Sequence, residues 1–354
     1  MNLAAVEQIA KAVLYEGYLL YPYRRSSIKN QQRWNFGVLY PAAYAEAQSG
    51  ADASTSQTEC IIAGSATPAL ELRVRFLQLV ERTVGKFDLP IAGITPEHQP
   101  VQVNRLEVDG MLFDPWQEAV EREIVLPLVF GETLNFQPTL HTFTFSAGKE
   151  LEPIHNSAGR IAGVIIREHG ELQVAVEVSA QSFSPDVFRI TIRTHNLTHF
   201  TMTMDRDPSR EAALVSSLLS AHVVLGATSG HFVSLLEPPA DLSDLVAQCR
   251  NVGTWPVLVG AAGEQDTILS SPIILYDYPE IAPESAGDLF DGTEIDEILS
   301  LRIMTLTDDE KLEMRQSDDR ARHILERTEA LPPEQFMKLH GVVRSLRPSK
   351  EEAS

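Results

Sequence analysis

The chain has 354 residues, 44% of them hydrophobic and 22% charged, with a formal net charge of −20. That length and composition call for buried cores in two or three units and exclude global disorder. The excess of acids disfavours nonspecific attachment to nucleic acid or anionic membrane.

Leu3, Val6, Ala10, Val13 and Leu14 recur at helical spacing, with Gly17 as a stop. This opening lacks a basic n-region, and Glu7, Lys11 and Glu16 interrupt it, so it does not read as a signal peptide. No run approaches the roughly 18 uninterrupted apolar residues of a membrane span. The expected compartment is therefore the cytoplasm. From Tyr15 to Trp34 the character changes, in the stretch YEGYLLYPYRRSSIKNQQRW. Six of the eight tyrosines lie before residue 45: Tyr15, Tyr18, Tyr21, Tyr23, Tyr40 and Tyr44. Between Lys11 and Trp34, the five cations Lys11, Arg24, Arg25, Lys29 and Arg33 face one acid, Glu16. Trp34, Phe36, Val38 and Tyr40 then alternate as in a strand with one buried face. Residues 45–57 lack branched aliphatics and aromatics and read as a linker or exposed loop.

The middle of the chain is dominated by period-two patterns. They cover Leu70–Phe76, Phe143–Phe145, Leu172–Val178 and Phe188–Ile192. Alternation with polar partners predicts antiparallel strands buried on one face. Gly170, between the 161–166 and 172–178 runs, is the expected turn of a hairpin. Asp207 and Pro208 suit the start of a helix, and Leu214, Leu218, His222 and Leu225 fall on one helical stripe. WPVLVG and SPIILYDYP read as two further buried strands. Thereafter the chain becomes acidic and helical: Thr293 precedes an acid-rich first turn, and Thr307–Glu310 has capping-box spacing. The fold class is thus α+β, a central antiparallel β-sandwich or curved sheet with a C-terminal helical tail. Its expected parts are an N-terminal helix and Tyr/Arg segment packed on the body (1–44), the linker (45–57) and a β-rich domain (58–204). A helix and strands complete the body (205–280), and an acidic helical tail follows (281–354).

Motifs that carry chemistry are scarce. The chain has no P-loop, GxGxxG turn or HExxH. GATSGH puts a glycine directly after Ser229, which breaks the spacing of a nucleophile elbow. Cys60 and Cys249 form no CxxC pair, which leaves a disulfide framework or zinc knuckle unsupported. His195, His199, His222 and His231 are the candidate metal ligands, as imidazoles from separate elements can converge on zinc, iron or nickel. A metal ion is open but not favoured, because His222 shares its stripe with three leucines and suits a core role. The carboxylates select no acid–base pair, and no catalytic residue is assigned. By elimination, the partner-binding candidates are Tyr18, Tyr21, Tyr23, Arg24, Arg25, Lys29, Arg33 and Trp34. Tyrosine and arginine are the side chains that grip partners most effectively. The equal rival is a structural role, with rings packed on the sandwich and cations facing water.

Three stretches together carry a resemblance: EGYLLYPYRRSSIKNQQRWNFGVLYP, SPIILYDYPEIAPESAGDLFDGTEIDEILSLRIMTLTDDEK and DDRARHILERT. They resemble an uncharacterised bacterial family associated with gene clusters of uptake nickel–iron hydrogenases. The resemblance covers both ends of the chain well and the middle loosely. It implies an accessory or assembly role for a metalloenzyme and transfers no catalytic residue. The expectation is a non-catalytic accessory protein that docks a protein partner, with no membrane partner and nucleic acid disfavoured. The alternatives are a histidine-based metal enzyme or metallochaperone, and a structural subunit of a larger complex.

Overall fold

Leu70, Leu72, Val74 and Phe76 are buried, while Glu71, Arg73 and Arg75 between them are partly exposed. This alternation opens the longest strand of the computed structural model, which describes residues 37–95, 97–129, 132–201, 209–279 and 319–330. It also describes positions 6, 7, 9, 10, 303, 306, 307, 308, 311 and 315. A short helix, α1 (Ala42–Ala47), leads through an exposed turn to β1 (Thr55–Ala63) and β2 (Leu70–Ile91). There follow β3 (Val101–Val103), β4 (Leu106–Val108), β5 (Met111–Phe113), β6 (Trp116–Leu128), β7 (Thr139–Phe145) and β8 (Gly148–His155). Next are β9 (Ile161–His169), β10 (Leu172–Ser184), β11 (Val187–Asn196), helix α2 (Arg210–Leu214), β12 (Leu219–Ala227) and β13 (His231–Phe232). Helix α3 (Ser243–Val246), β14 (Trp255–Leu258), β15 (Thr267–Ser271) and helix α4 (Asp319–Ala330) complete the order.

Among the described residues the strands form two large antiparallel sheets and the small hairpin β4–β5. One sheet runs β13-β1-β11-β10-β7. The other runs β14-β15-β12-β2-β9-β8, with β6 and β3 along the other side of β2. The sheets pack face to face. Cys60, Ile62, Val174, Val176, Val178, Ile190 and Ile192 of the first meet Leu72, Val74, Phe76, Val223, Leu225 and Ile268 of the second in one core. Each sheet thus buries the apolar half of its alternating strands, which is the β-sandwich solution. Phe76 and Phe145 join the two sheets edge to face, with centroids 5.3 Å apart.

Four local expectations are corrected. Residues 219–227 are the strand β12 and not a helix. Every residue of that strand is buried, so no alternation marks it, and the leucine spacing imitates a helical stripe. Gly170 does not turn a hairpin: β9 belongs to one sheet and β10 to the other, so the chain crosses between sheets there. The cap of α2 is Ser209, whose hydroxyl accepts from the Ala212 amide at 3.2 Å, two residues beyond Asp207. The second late strand is the preceding TILSS of β15, and in SPIILYDYP Ile274 and Tyr276 are exposed.

The outer face of the larger sheet is divided. Val6, Ile9 and Ala10 are buried against Val224, Val257, Val259, Leu269 and Leu275. The neighbouring rows are ion-paired. Arg73 and Arg75 share Glu123, Arg75 reaches Glu7, and Arg82 and Arg167 share Glu118. Near the C-terminus, α4 buries Leu325 and Thr328, and its Glu329 pairs with Lys311 and Arg315. No helix among the described residues is long and apolar enough to cross a membrane.

Candidate functional site

Tyr18, Tyr21, Tyr23, Arg24, Arg25, Lys29, Arg33 and Trp34 lie outside the described residues. The chain becomes described at Gly37, where it is fastened to the sandwich. The Ala221 amide donates to the Gly37 carbonyl at 3.0 Å, Leu39 and Leu218 exchange both backbone bonds, and the Tyr40 amide donates to Ala53 at 2.7 Å. Gly37 has φ +50°, and a Cβ there would stand 2.5 Å from the Pro272 ring. Only glycine meets both demands.

This fastening forms one wall of a cleft of about 320 Å³ at the end of the sandwich. Tyr40, Asp52, Thr55, Ser56, Arg210 and Trp255 are its principal walls, with Val252, Gly253 and Pro272 alongside. Arg210 is held from two directions. Its Nε donates to the Tyr40 hydroxyl at 2.5 Å, and its guanidinium lies 5.8 Å from the Tyr40 ring centroid. Burial raises the Tyr40 phenol above its ordinary range, with Arg210 offsetting part of that. Tyr44 packs on Tyr40 with centroids 5.0 Å apart and the rings tilted by 35°, and it meets Phe200 edge to face, so the clamp rests on an aromatic base. No ion pair or hydrogen bond among the described residues engages the Asp52 carboxylate or the terminal guanidinium nitrogens of Arg210. That sets Arg210 apart from Arg73, Arg75, Arg82 and Arg167, which are matched to acids of their own sheet.

The four candidate histidines do not converge. His195 is opposite Thr55 at the start of β1, and His231 is opposite Ala63 at its end. Eight residues of extended chain place them on the order of 26 Å apart. His222 belongs to the other sheet, buried beside Arg75, and His199 is exposed in the loop after β11. Among the described residues no three His, Cys, Asp or Glu side chains could share a metal ion. The four-histidine metal site is therefore corrected: the register of β1 holds two of its members at opposite ends. His195 instead bonds through Nδ1 to the Thr55 hydroxyl at 3.0 Å, and burial lowers its pKa. This hydroxyl–imidazole pair borders the cleft, and among the described residues no hydrogen bond orients Nε2. Both cysteines are free; burial raises the thiol of Cys60, and that of Cys249 to about 11, which keeps them protonated.

Tyr40, Asp52, Arg210 and Trp255 come from four separate stretches, so no local motif announces them. Two signals were nonetheless present. Asp52 is the only charged residue between Glu46 and Glu59. Arg210 is a cation at the first position of a helix, where the dipole favours an acid. No family model matches the chain, and no curated protein matches it either.

Proposed function

We propose that the protein is a non-catalytic accessory or assembly protein that grips a protein partner at this end of the sandwich. One observation carries the reading. Gly37 is fastened on the wall of a cleft that also presents Arg210 and an exposed indole, Trp255, and in sequence it follows the Tyr/Arg segment by three residues. Aromatic rings and guanidinium groups gathered around one concavity are the usual anchors of recognition. The five cations of the segment suit a partner of acidic or peptide character, and the acidic stretch from 281 onward, which lies for the most part outside the described residues, serves as a second binding end. The family resemblance adds the partner's class, a hydrogenase-type metalloenzyme, for which the chain acts in assembly and not in turnover.

The test is affinity purification from the native host with the wild type and with Arg24, Arg25, Lys29 and Arg33 all changed to Ala. The variant is expected to lose its principal partner by about tenfold or more, the equivalent of 1.4 kcal/mol. Equal recovery of the same partner removes the docking role from this segment.

A further inference from the structure

We infer that the cleft is also a binding site for a small zwitterion, of the class of an α-amino acid with an apolar side chain. Two opposite charges line one cavity without a direct ion pair between them. They are the guanidinium of Arg210 and the carboxylate of Asp52, which helps to keep Arg210 charged across the gap. Ordinarily such a pair would close on itself. Here the Tyr40 hydroxyl holds Arg210 Nε, and the ring beneath fixes its plane. The two terminal nitrogens are left as a fork, the geometry that takes a carboxylate through two parallel bonds.

The combination restricts the occupant. A simple anion on the Arg210 fork would be repelled by Asp52, and a simple cation on Asp52 would be repelled by Arg210. A molecule carrying a carboxylate and an ammonium group satisfies both. The remaining wall is apolar: Trp255, 43% exposed, with Val252 and Pro272. An exposed indole beside a charged fork offers a face for an aliphatic or aromatic side chain. Size agrees, since about 320 Å³ is at the lower end of small-molecule pockets and too small for a dinucleotide-sized cofactor. Ser56 adds a hydroxyl on the same wall. No bond is made or broken in this proposal; the site senses or carries its ligand.

Calorimetric titration of the full chain tests it, with L-leucine and L-phenylalanine as probes. N-acetyl-leucine and leucine amide are the controls, each lacking one charge. Saturable binding of at least one free amino acid is expected, weakened by about tenfold or more when either end is capped. Arg210→Gln should abolish discrimination against the amide, and Asp52→Asn discrimination against the acetyl form. Trp255→Ala should weaken every probe. Asp52 makes no hydrogen bond or ion pair among the described residues, so Asp52→Asn should melt as the wild type does; Arg210→Gln gives up the bond to Tyr40 and should melt somewhat lower, so its binding is compared well below its own melting temperature. The four-alanine segment variant should bind the amino acid unchanged, which separates this site from the docking role. Absence of saturable heat for either amino acid up to about 10 mM overturns the proposal. So does equal binding of capped and free forms, or loss of binding in the segment variant.

Discussion

His222→Leu is expected to hold, between about pH 7 and pH 5, about 2 kcal/mol of stability that the wild type loses. His222 is 1% exposed on the outward side of β12. Its Nδ1 meets the Ser220 carbonyl at 2.9 Å, while Nε2 is buried without a partner. Burial, the largest cause, lowers its pKa from 6.5 to about 4, and neighbouring Arg75 lowers it further. The Ser220 carbonyl and Glu123 act in the opposite direction. The unfolded chain therefore takes up a proton below about pH 6.5, and the folded chain only near pH 4. In that window acid favours unfolding. Most carboxylates stay ionised above pH 5, so the difference between the two proteins isolates the histidine. Urea titrations at several pH values measure it. Parallel wild-type and variant curves would show that His222 is protonated in the fold.

The second large effect is expected in the interior. Phe76→Ala should cost about 3–5 kcal/mol, because a fully buried ring is lost and the cavity cannot collapse fully. Phe76 is on β2, the strand that contacts β12, β9, β6 and β3, and its ring meets Phe145 of the opposite sheet. The vacancy would open on the seam between the two layers. Against a typical domain stability of about 5–15 kcal/mol, that leaves little in reserve. Phe76→Leu should cost markedly less, since most of the volume is kept. Equal midpoints for the alanine variant and the wild type in denaturant would mean that the sheets are not joined through this ring.

The strands with one wet face were legible because their alternation is local. Leu70 to Phe76 and Phe188 to Ile192 announce both their conformation and the side that faces the core. What escaped was whatever depended on distant partners. β12 is covered on both faces, so its sequence carries no period. The glycine after His169 looks like a hairpin turn, yet the two strands that it joins belong to different layers, a choice settled by pairing partners far away in sequence. The histidines illustrate the same point. Their spacing left convergence open, and the register of β1 against β11 and β13 closed it. The cleft was illegible for the complementary reason: its walls come from residues 37–40, 51–56, 210, 221, 252–255 and 272, and no stretch contributes enough to form a signature.

The proposed docking function belongs to the cleft end of the sandwich, where Gly37, three residues after Trp34 in sequence, lines the wall. Site-directed photo-crosslinking examines that most directly. A benzophenone side chain is placed at Trp255 in one protein and at Leu89 in another. Leu89 is exposed near the C-terminal end of β2, beyond the stretch that pairs with β12, and it does not line the cleft. Both are irradiated in extract of the native host. A discrete protein adduct is expected from position 255, lost when the four segment cations are removed, and none from position 89. An adduct from position 89 alone, or one from position 255 that survives loss of those cations, would contradict the docking function.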